Sequence, residues 1–277
     1  DRYAASFGLS DFEEIVIGEV DGRGRYRRFE IFAADHLGHA LARLYERNAD
    51  LCPDDGDRSR AAAIARSAGV MLGQPDLAGT ASVLAPDVEF SDLRTVGFGT
   101  LHGAEAVLET IAAMMELSSD DSAHIDEVVV LEPDALVVRW TNRGTHVESG
   151  GAFERNLCQL WIFDAAGLLS LWQQFEVEHA AEALVRLDER FSSAETPPAS
   201  EVFENAAARA DRELFRCFNA RDWEGVLACA APELVFDERR RMVRNTCGRD
   251  VWLEQFRFLF DVPASRFTTK LLATRGE

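Results

Sequence analysis

Asp92 is the carboxylate that the sequence places best for acid–base chemistry. It follows the apolar residue Phe90 by two positions, at the end of a short strand pattern over Val88 to Arg94. An apolar pocket around such a side chain raises the pKa of the carboxyl group toward the range of a general base. The alternative interpretation is a solvated carboxylate at the end of a strand.

Three tryptophans form a second group with potential chemistry. Trp140, Trp161 and Trp172 fall on three successive strand patterns. If these rings point inwards beside Phe90, they could stack on a flat ligand. The alternative is that the rings fill a core or form an interface on the outer face of the sheet.

Helical and strand periodicity over residues 57–192 predicts the elements that would position these side chains. Helical spacing covers Arg58–Leu72 and Ala104–Leu117, and Asp76 caps a short helix that Pro86 stops. A last helix is predicted over Ala180–Phe191. Four strands with turn residues between them are predicted at His124–Leu131, Ala135–Thr145, Phe153–Phe163 and Leu168–Glu176.

Two internal repeats organise the chain. Residues 21–47 match residues 164–190 at ten of 27 positions without a gap, at a shift of 143. Residues 76–90 align with residues 222–236 at a shift of 146 and share an aspartate, a glycine, an Ala-Pro pair and a phenylalanine. Because the two repeats concern different halves of one unit, the sequence predicts a tandem array. Its boundaries are a C-terminal half-copy at 1–50, a complete copy at 57–192, a linker at 193–200 and an N-terminal half-copy at 201–277.

The segments DLAGTASVLAPDVEFSD and HGAEAVLETI resemble the opening half of SnoaL-like domains of the nuclear transport factor 2-like superfamily. RNLCQLWIFDAAGLLSLWQQFEVE resembles the closing half. The resemblance covers nearly the whole chain and implies an α+β fold, a cone-shaped curved antiparallel sheet packed on helices. The superfamily contains polyketide cyclases, ketosteroid isomerases, epoxide hydrolases, dehydratases and non-catalytic binding modules, so the fold alone implies no single activity. The tandem arrangement also resembles the C-terminal region of large actinobacterial regulators that carry ATPase or nucleotide cyclase modules.

The resemblance implies two reactions to weigh. In the ketosteroid isomerase branch, a carboxylate near the position of Asp92 abstracts a proton beside a carbonyl, but residues 57–192 lack the tyrosine that this branch supplies.

An epoxide hydrolase network would need two carboxylates around an arginine. Arg139 could serve with Asp92 and either Asp126 or Glu127, although an exposed cross-strand ion pair is the alternative. Alternation sends Arg139 and Trp140 to opposite faces, so only one of them can line a pocket.

The histidines point away from metal chemistry. His36 and His39 have the i, i+3 spacing of a ligand pair, but the repeat replaces them by His179 and Glu182 without further ligands nearby. We therefore expect no metal and no cofactor. The histidines expected near a pocket mouth are His102 and His124, with capping or surface exposure as the alternative for His102.

Composition restricts the partners. The net charge of −19 excludes nucleic acid and an anionic membrane surface. Five cysteines without a CxxC pair predict reduced thiols, and no apolar segment is long enough to span a bilayer, so we expect a cytoplasmic protein. Residues 1–50 and 201–277 are expected either to complement one another or to remain partly disordered.

The sequence thus favours a non-catalytic module of a larger, regulatory protein that binds a small apolar or aromatic ligand or serves assembly. A homodimer or pairing between repeats would fit this role. The alternative is a small-molecule enzyme of the isomerase, cyclase or hydratase type with Asp92 as general base. The third copy carries Glu238 at the position of Asp92.

Overall fold

Two sheets, each packed against helices, make up the part of the chain that the structure describes. The computed structural model describes residues 13–191, 205–241 and 243–275. The predicted α+β class, with curved sheets packed on helices, is confirmed. No helix in these ranges is both long and apolar enough to cross a bilayer.

The middle of the chain forms a six-stranded central sheet and the helices around it. Its helices are α2 (Asp55–Met71), α3 (Leu77–Val83), α4 (Ala104–Glu116) and α5 (Ala180–Phe191). Its strands are β3 (Leu84–Asp92), β4 (Gly99–His102), β5 (Ser118–Glu132), β6 (Ala135–His146), β7 (Ala152–Phe163) and β8 (Leu169–Glu176).

The two ends of the chain form a four-stranded composite sheet and its helices. Its strands are β1 (Glu14–Val20), β2 (Tyr26–Ala33), β9 (Ala230–Glu238) and β10 (Asn245–Gly248). The helices of this part are α1 (Leu37–Leu51), α6 (Ala206–Asn219), α7 (Trp223–Ala228) and α8 (Arg249–Asp261).

In the central sheet the strand order is β4-β3-β8-β7-β6-β5. The predicted antiparallel arrangement is wrong for one pair: β3 and β8 run parallel, whereas all other neighbours are antiparallel. Side chains alternate between the two faces. Leu136, Val138 and Trp161 point into a core closed by α2 and α4, whereas Val137 and Leu160 face α5 on the other side.

The strand β5 begins at Ser118, six residues before the start that periodicity predicts. Asp120 has a positive φ of 58°, and the pairing with β6 shifts register between Ser119 and Ser122. The polar segment Ser118–Ser122 carries no hydrophobic alternation, which is why the sequence pattern misses this part of the strand.

In the composite sheet the order is β1-β2-β9-β10, and β2 and β9 run parallel. Phe29 is paired with Phe236 there, as Trp172 is paired with Phe90 in the central sheet. Trp172 follows Phe29 by 143 residues and Phe236 follows Phe90 by 146, and these are the two shifts found between the sequence repeats. Both ends of the chain therefore build one sheet, while the division into repeated copies with boundaries at 50, 57, 192 and 201 remains a prediction.

The helix α1 joins the two parts. Its residue Ala40 packs with Ile17 and Phe32 of the composite sheet. From the same helix, Leu41 and Tyr45 are buried in the core of the central part. One helix therefore contributes to both cores.

Candidate ligand-binding site

A cavity of about 180 Å³ lies between the inner face of the central sheet and helices α2 and α4. Its lining reaches the ends of β6 and β8 and the starts of β5 and β7, so the opening lies at that end of the sheet. Most lining side chains are apolar. They include five aromatic residues, Phe90, Trp140, Phe153, Trp161 and Trp172.

The floor of the cavity is a pair of tryptophans held by one glutamine. Trp161 and Trp172 are paired across β7 and β8. Their indole Nε1 atoms both donate to Oε1 of Gln159, at 3.0 and 3.1 Å, and Gln159 is fully buried. The Trp172 ring also packs on Phe90, with 4.6 Å between ring centroids. Because both indole donors are satisfied internally, these tryptophans offer ring surface to a ligand rather than hydrogen bonds.

Asp92 forms a bidentate ion pair with Arg94 at the edge of the cavity. Nε and Nη2 of Arg94 donate to the two carboxylate oxygens, each at 2.8 Å. The Asp92 side chain is fully buried, while that of Arg94 is 18% exposed and lines the cavity. Asp92 itself therefore stands behind the arginine and does not form part of the lining.

The ion pair controls the ionisation of Asp92. Burial by itself would raise the pKa of this carboxyl group, but the hydrogen bonds and the charge of Arg94 outweigh burial and lower the pKa below its ordinary value. The same hydrogen bonds raise the pKa of Arg94. The shift of Asp92 is the opposite of the one expected for a general base.

The loop between β3 and β4 completes the ion-pair site. A Cβ atom on Gly97 would lie 2.6 Å from the carbonyl oxygen of Asp92, so only glycine fits where this loop folds back on the strand end. The backbone N–H of Phe98 contacts Oδ2 of Asp92 at 3.4 Å, and the Phe98 ring packs on Phe90. The carboxylate is thus enclosed by its own loop.

The Gln174 amide lies between Gln159 and Arg94. In one orientation its oxygen accepts from Nε2 of Gln159 at 3.3 Å. With the amide rotated by 180°, the oxygen accepts from Nε and Nη2 of Arg94 at 3.0 and 3.2 Å. The Gln174 oxygen thus accepts either from Gln159 or from Arg94, depending on the orientation of the amide.

Polar side chains surround the opening. The guanidinium of Arg155 lies 4.6 Å from the centroid of the Phe153 ring, and the ring of His146 lies 5.0 Å from the same ring. The Ser118 hydroxyl donates to Asp121 at 2.6 Å. All five of these residues line the cavity.

The structure brings together four of the residues that the sequence indicated, namely Phe90, Trp140, Trp161 and Trp172. Arg139 lies outside this lining. Since Trp140 takes the inner face of β6, Arg139 projects from the other face and forms a half-exposed ion pair with Glu127 at 3.5 Å. It therefore makes no three-membered network with Asp92.

Neither predicted mouth histidine lines the cavity. His102 is exposed at the end of β4, directly before the turn at Gly103. The Nε2 atom of His124 lies 2.9 Å from the Asp126 carboxylate on a partly exposed surface. Within the described ranges, no group of three or more potential ligands is arranged to hold a metal ion.

Sequence reasoning missed the polar residues Arg94, Gln159 and Gln174. A signal was present for the two glutamines, because each lies two positions from a tryptophan on the same apolar strand. Alternation then places the amide on the tryptophan face, where a buried polar group must find partners. For Arg94 the predicted strand Val88–Arg94 placed the side chain on the same face as Asp92, but β3 ends at Asp92, so the position of Arg94 depends on the loop that follows.

Comparison with known proteins supports a SnoaL-like domain in the centre of the chain. Residues 64–172, less than half of the chain, match the family model of the SnoaL-like domain. No curated protein sequence matches the chain.

Solved structures similar to the chain cover a comparable part of it. An LEH-like epoxide hydrolase of Mycobacterium tuberculosis is 16% identical, over 42% of this chain and 84% of its own, with a TM-score of 0.31. RV0760c of the same organism is 20% identical over 42% and 90%, with a TM-score of 0.33. TerC, crystallised with polyporic acid, is 21% identical over 46% and 98%, with a TM-score of 0.34. These similarities assign no activity to the chain.

Proposed function

We propose that the central part of the chain binds a small, largely apolar molecule with a flat ring in the cavity and does not transform it. The observation that supports this proposal most directly is the bidentate ion pair of Asp92 and Arg94 beside an aromatic cavity. A ring system can stack on the tryptophan and phenylalanine faces, and burial of its apolar surface supplies the binding free energy.

The same ion pair argues against proton abstraction. A general base needs a free lone pair and a pKa near the working pH. Each oxygen of Asp92 accepts two hydrogen bonds, Oδ1 from Nε and the backbone N–H of Arg94, and Oδ2 from Nη2 of Arg94 and the backbone N–H of Phe98. The pKa of Asp92 is also lowered. No tyrosine is found among the described lining residues that could stabilise an enolate oxygen.

The proposal extends to the context of the domain. The sequence repeat and the matching register of the two sheets support a module with a second, related unit built from the ends of the chain, within a larger regulatory protein. The five free cysteines fit a reducing compartment, the cytoplasm.

Titration with 2-acetonaphthone, a flat ketone with exchangeable α-protons, tests both halves of the proposal. We expect quenching of tryptophan fluorescence with saturation, and no deuterium incorporation at the methyl group in D₂O beyond the buffer rate. Replacement Trp140→Ala is expected to weaken binding, whereas Trp223→Ala in α7, outside the cavity, leaves it unchanged.

Two outcomes would overturn the proposal. Absence of saturable quenching by 2-acetonaphthone and by unsubstituted naphthalene would remove the binding function. Deuterium exchange accelerated by the protein and abolished in Asp92→Asn would instead establish the enzyme alternative.

A further inference from the structure

We infer that the ligand of the cavity is an uncharged aromatic carbonyl compound, whose oxygen accepts a hydrogen bond from Nη1 of Arg94. This inference rests on the proposed binding function and specifies the chemistry of the ligand. Three features of the site support it: the available Nη1 donor of Arg94, the excess of carboxylates around that arginine, and the tryptophan floor whose indole N–H groups are already bonded to Gln159.

Arg94 is a hydrogen-bond donor held in place by Asp92, and its Nη1 atom is available to a ligand. Its Nε and Nη2 atoms are occupied by Asp92, and these contacts fix the plane of the guanidinium group. Nη1 has no hydrogen-bond acceptor among the residues that the structure describes, and the side chain lines the cavity. A ligand oxygen at this nitrogen would accept from an N–H group that Asp92 does not use, without moving the arginine.

The charged groups around Arg94 disfavour an anionic ligand. Asp76 and Asp121 line the cavity, Asp92 is bound to Arg94, and Glu176 is close enough to raise the pKa of Arg94. Against these four carboxylates stand two guanidinium groups, those of Arg94 and Arg155. A carboxylate ligand would meet an arginine whose charge is already neutralised, in surroundings with net negative charge.

Arg94 itself disfavours a cationic ligand at the inner end of the cavity. An ammonium group has no lone pair to accept from Nη1 and would be repelled by the guanidinium. The floor offers no compensating acceptor, because the Gln159 oxygen is occupied by the indoles of Trp161 and Trp172. A neutral oxygen acceptor on a flat ring is the chemistry that satisfies all of these groups.

Four naphthalene probes separate the possibilities in the unmodified protein: naphthalene, 2-acetonaphthone, 2-naphthoate and 2-naphthylmethylammonium. Binding is measured by quenching of tryptophan fluorescence. A hydrogen bond to a charged donor is expected to make the ketone bind about tenfold more tightly than naphthalene, and both ions more weakly than the ketone.

Each outcome has a distinct meaning. If naphthalene and the ketone bind equally, or if either ion binds most tightly, the inference is wrong while the proposed binding function stands. If no probe binds, the proposed function falls and this inference with it.

The variant Asp92→Asn provides a second test through a reversal of preference. It leaves the charge of Arg94 without its partner, so the affinity for 2-naphthoate is expected to rise above that for the ketone. The matched control is Glu238→Gln, which neutralises the equivalent ion pair with Arg240 outside the cavity and is expected to leave the order of the four probes unchanged.

The double variant Asp92→Leu/Arg94→Met covers the case in which Asp92→Asn does not fold. It removes both charges together and replaces them with apolar side chains. We expect naphthalene to bind as before and the ketone to lose its advantage. A ketone that still binds about tenfold more tightly than naphthalene would show that Arg94 is not its donor.

Discussion

Arg240 binds both carboxylate oxygens of Glu238, through Nε at 2.8 Å and Nη2 at 2.6 Å. It is the counterpart, in the composite sheet, of the pair that Arg94 forms with Asp92. The surroundings differ, because the core beside the composite sheet contains a succession of stacked rings: Tyr26, Phe29, Trp252 and Phe256. The same ion pair therefore accompanies an aromatic cavity in one sheet and a filled aromatic core in the other.

Replacement of Asp92 by asparagine is expected to destabilise the protein by about 3 kcal/mol, because it leaves a mostly buried guanidinium without its counter-ion. Urea denaturation followed by circular dichroism measures the change. As a control, Glu154→Gln removes an ion pair with Arg143 whose partners are each about half exposed, and is expected to cost less than about 1 kcal/mol. Equal effects of the two substitutions would contradict the role given to the buried pair.

The stabilisation by Asp92 is expected to depend on pH in a defined direction. Since its pKa is lower in the folded than in the unfolded state, its contribution is complete above the ordinary carboxyl pKa of about 3.9 and is lost as pH falls through the lower, folded value. The difference in unfolding free energy between the unmodified protein and Asp92→Asn should thus be larger at pH 7 than at pH 3. A difference that is constant with pH would show that the effect is one of packing rather than ionisation.

Gln159 is expected to be essential for the floor of the cavity. In Gln159→Leu, the indole N–H groups of Trp161 and Trp172 lose their acceptor in a buried environment, at an expected cost of about 3 kcal/mol. Gln173→Leu is the matched control on the opposite face of β8, where the buried Oε1 atom has no partner. That substitution should be neutral or stabilising by thermal denaturation, and a large loss in Gln173→Leu would contradict this account.

Pairing of the two ends can be tested by hydrogen exchange. Phe236 is buried, is paired with Phe29 and lies in the core that α6 and α8 share. Phe236→Asp is expected to remove amide protection from β2, although β2 lies some two hundred residues away in the sequence. Protection in β7 should persist, and Glu233→Gln, at an exposed position of β9, should alter neither.

The elements that periodicity predicts agree with the structure where a local pattern determines them. The four-strand meander and the opposite faces of Trp140 and Arg139 follow from alternation, but alternation left open which of the two lines the cavity. The pairing of Asp92 with Arg94 could not be predicted in this way, because it depends on the backbone path of the loop through Gly97. The parallel pairing of β2 with β9 is likewise absent from any local pattern, since it joins residues that only the completed fold brings together.

The place of β1 at the edge of the composite sheet has a mechanical consequence. Glu13 directly precedes β1, which lies next to β2, so tension applied at Glu13 would first load the hydrogen bonds between β1 and β2. At the other end, the Arg275 side chain donates to the backbone oxygen of Glu132 in β5 and lies over the Tyr45 ring, so tension at Arg275 would load these contacts first. The parallel pairing of β2 with β9 would bear force only after these outer contacts had broken.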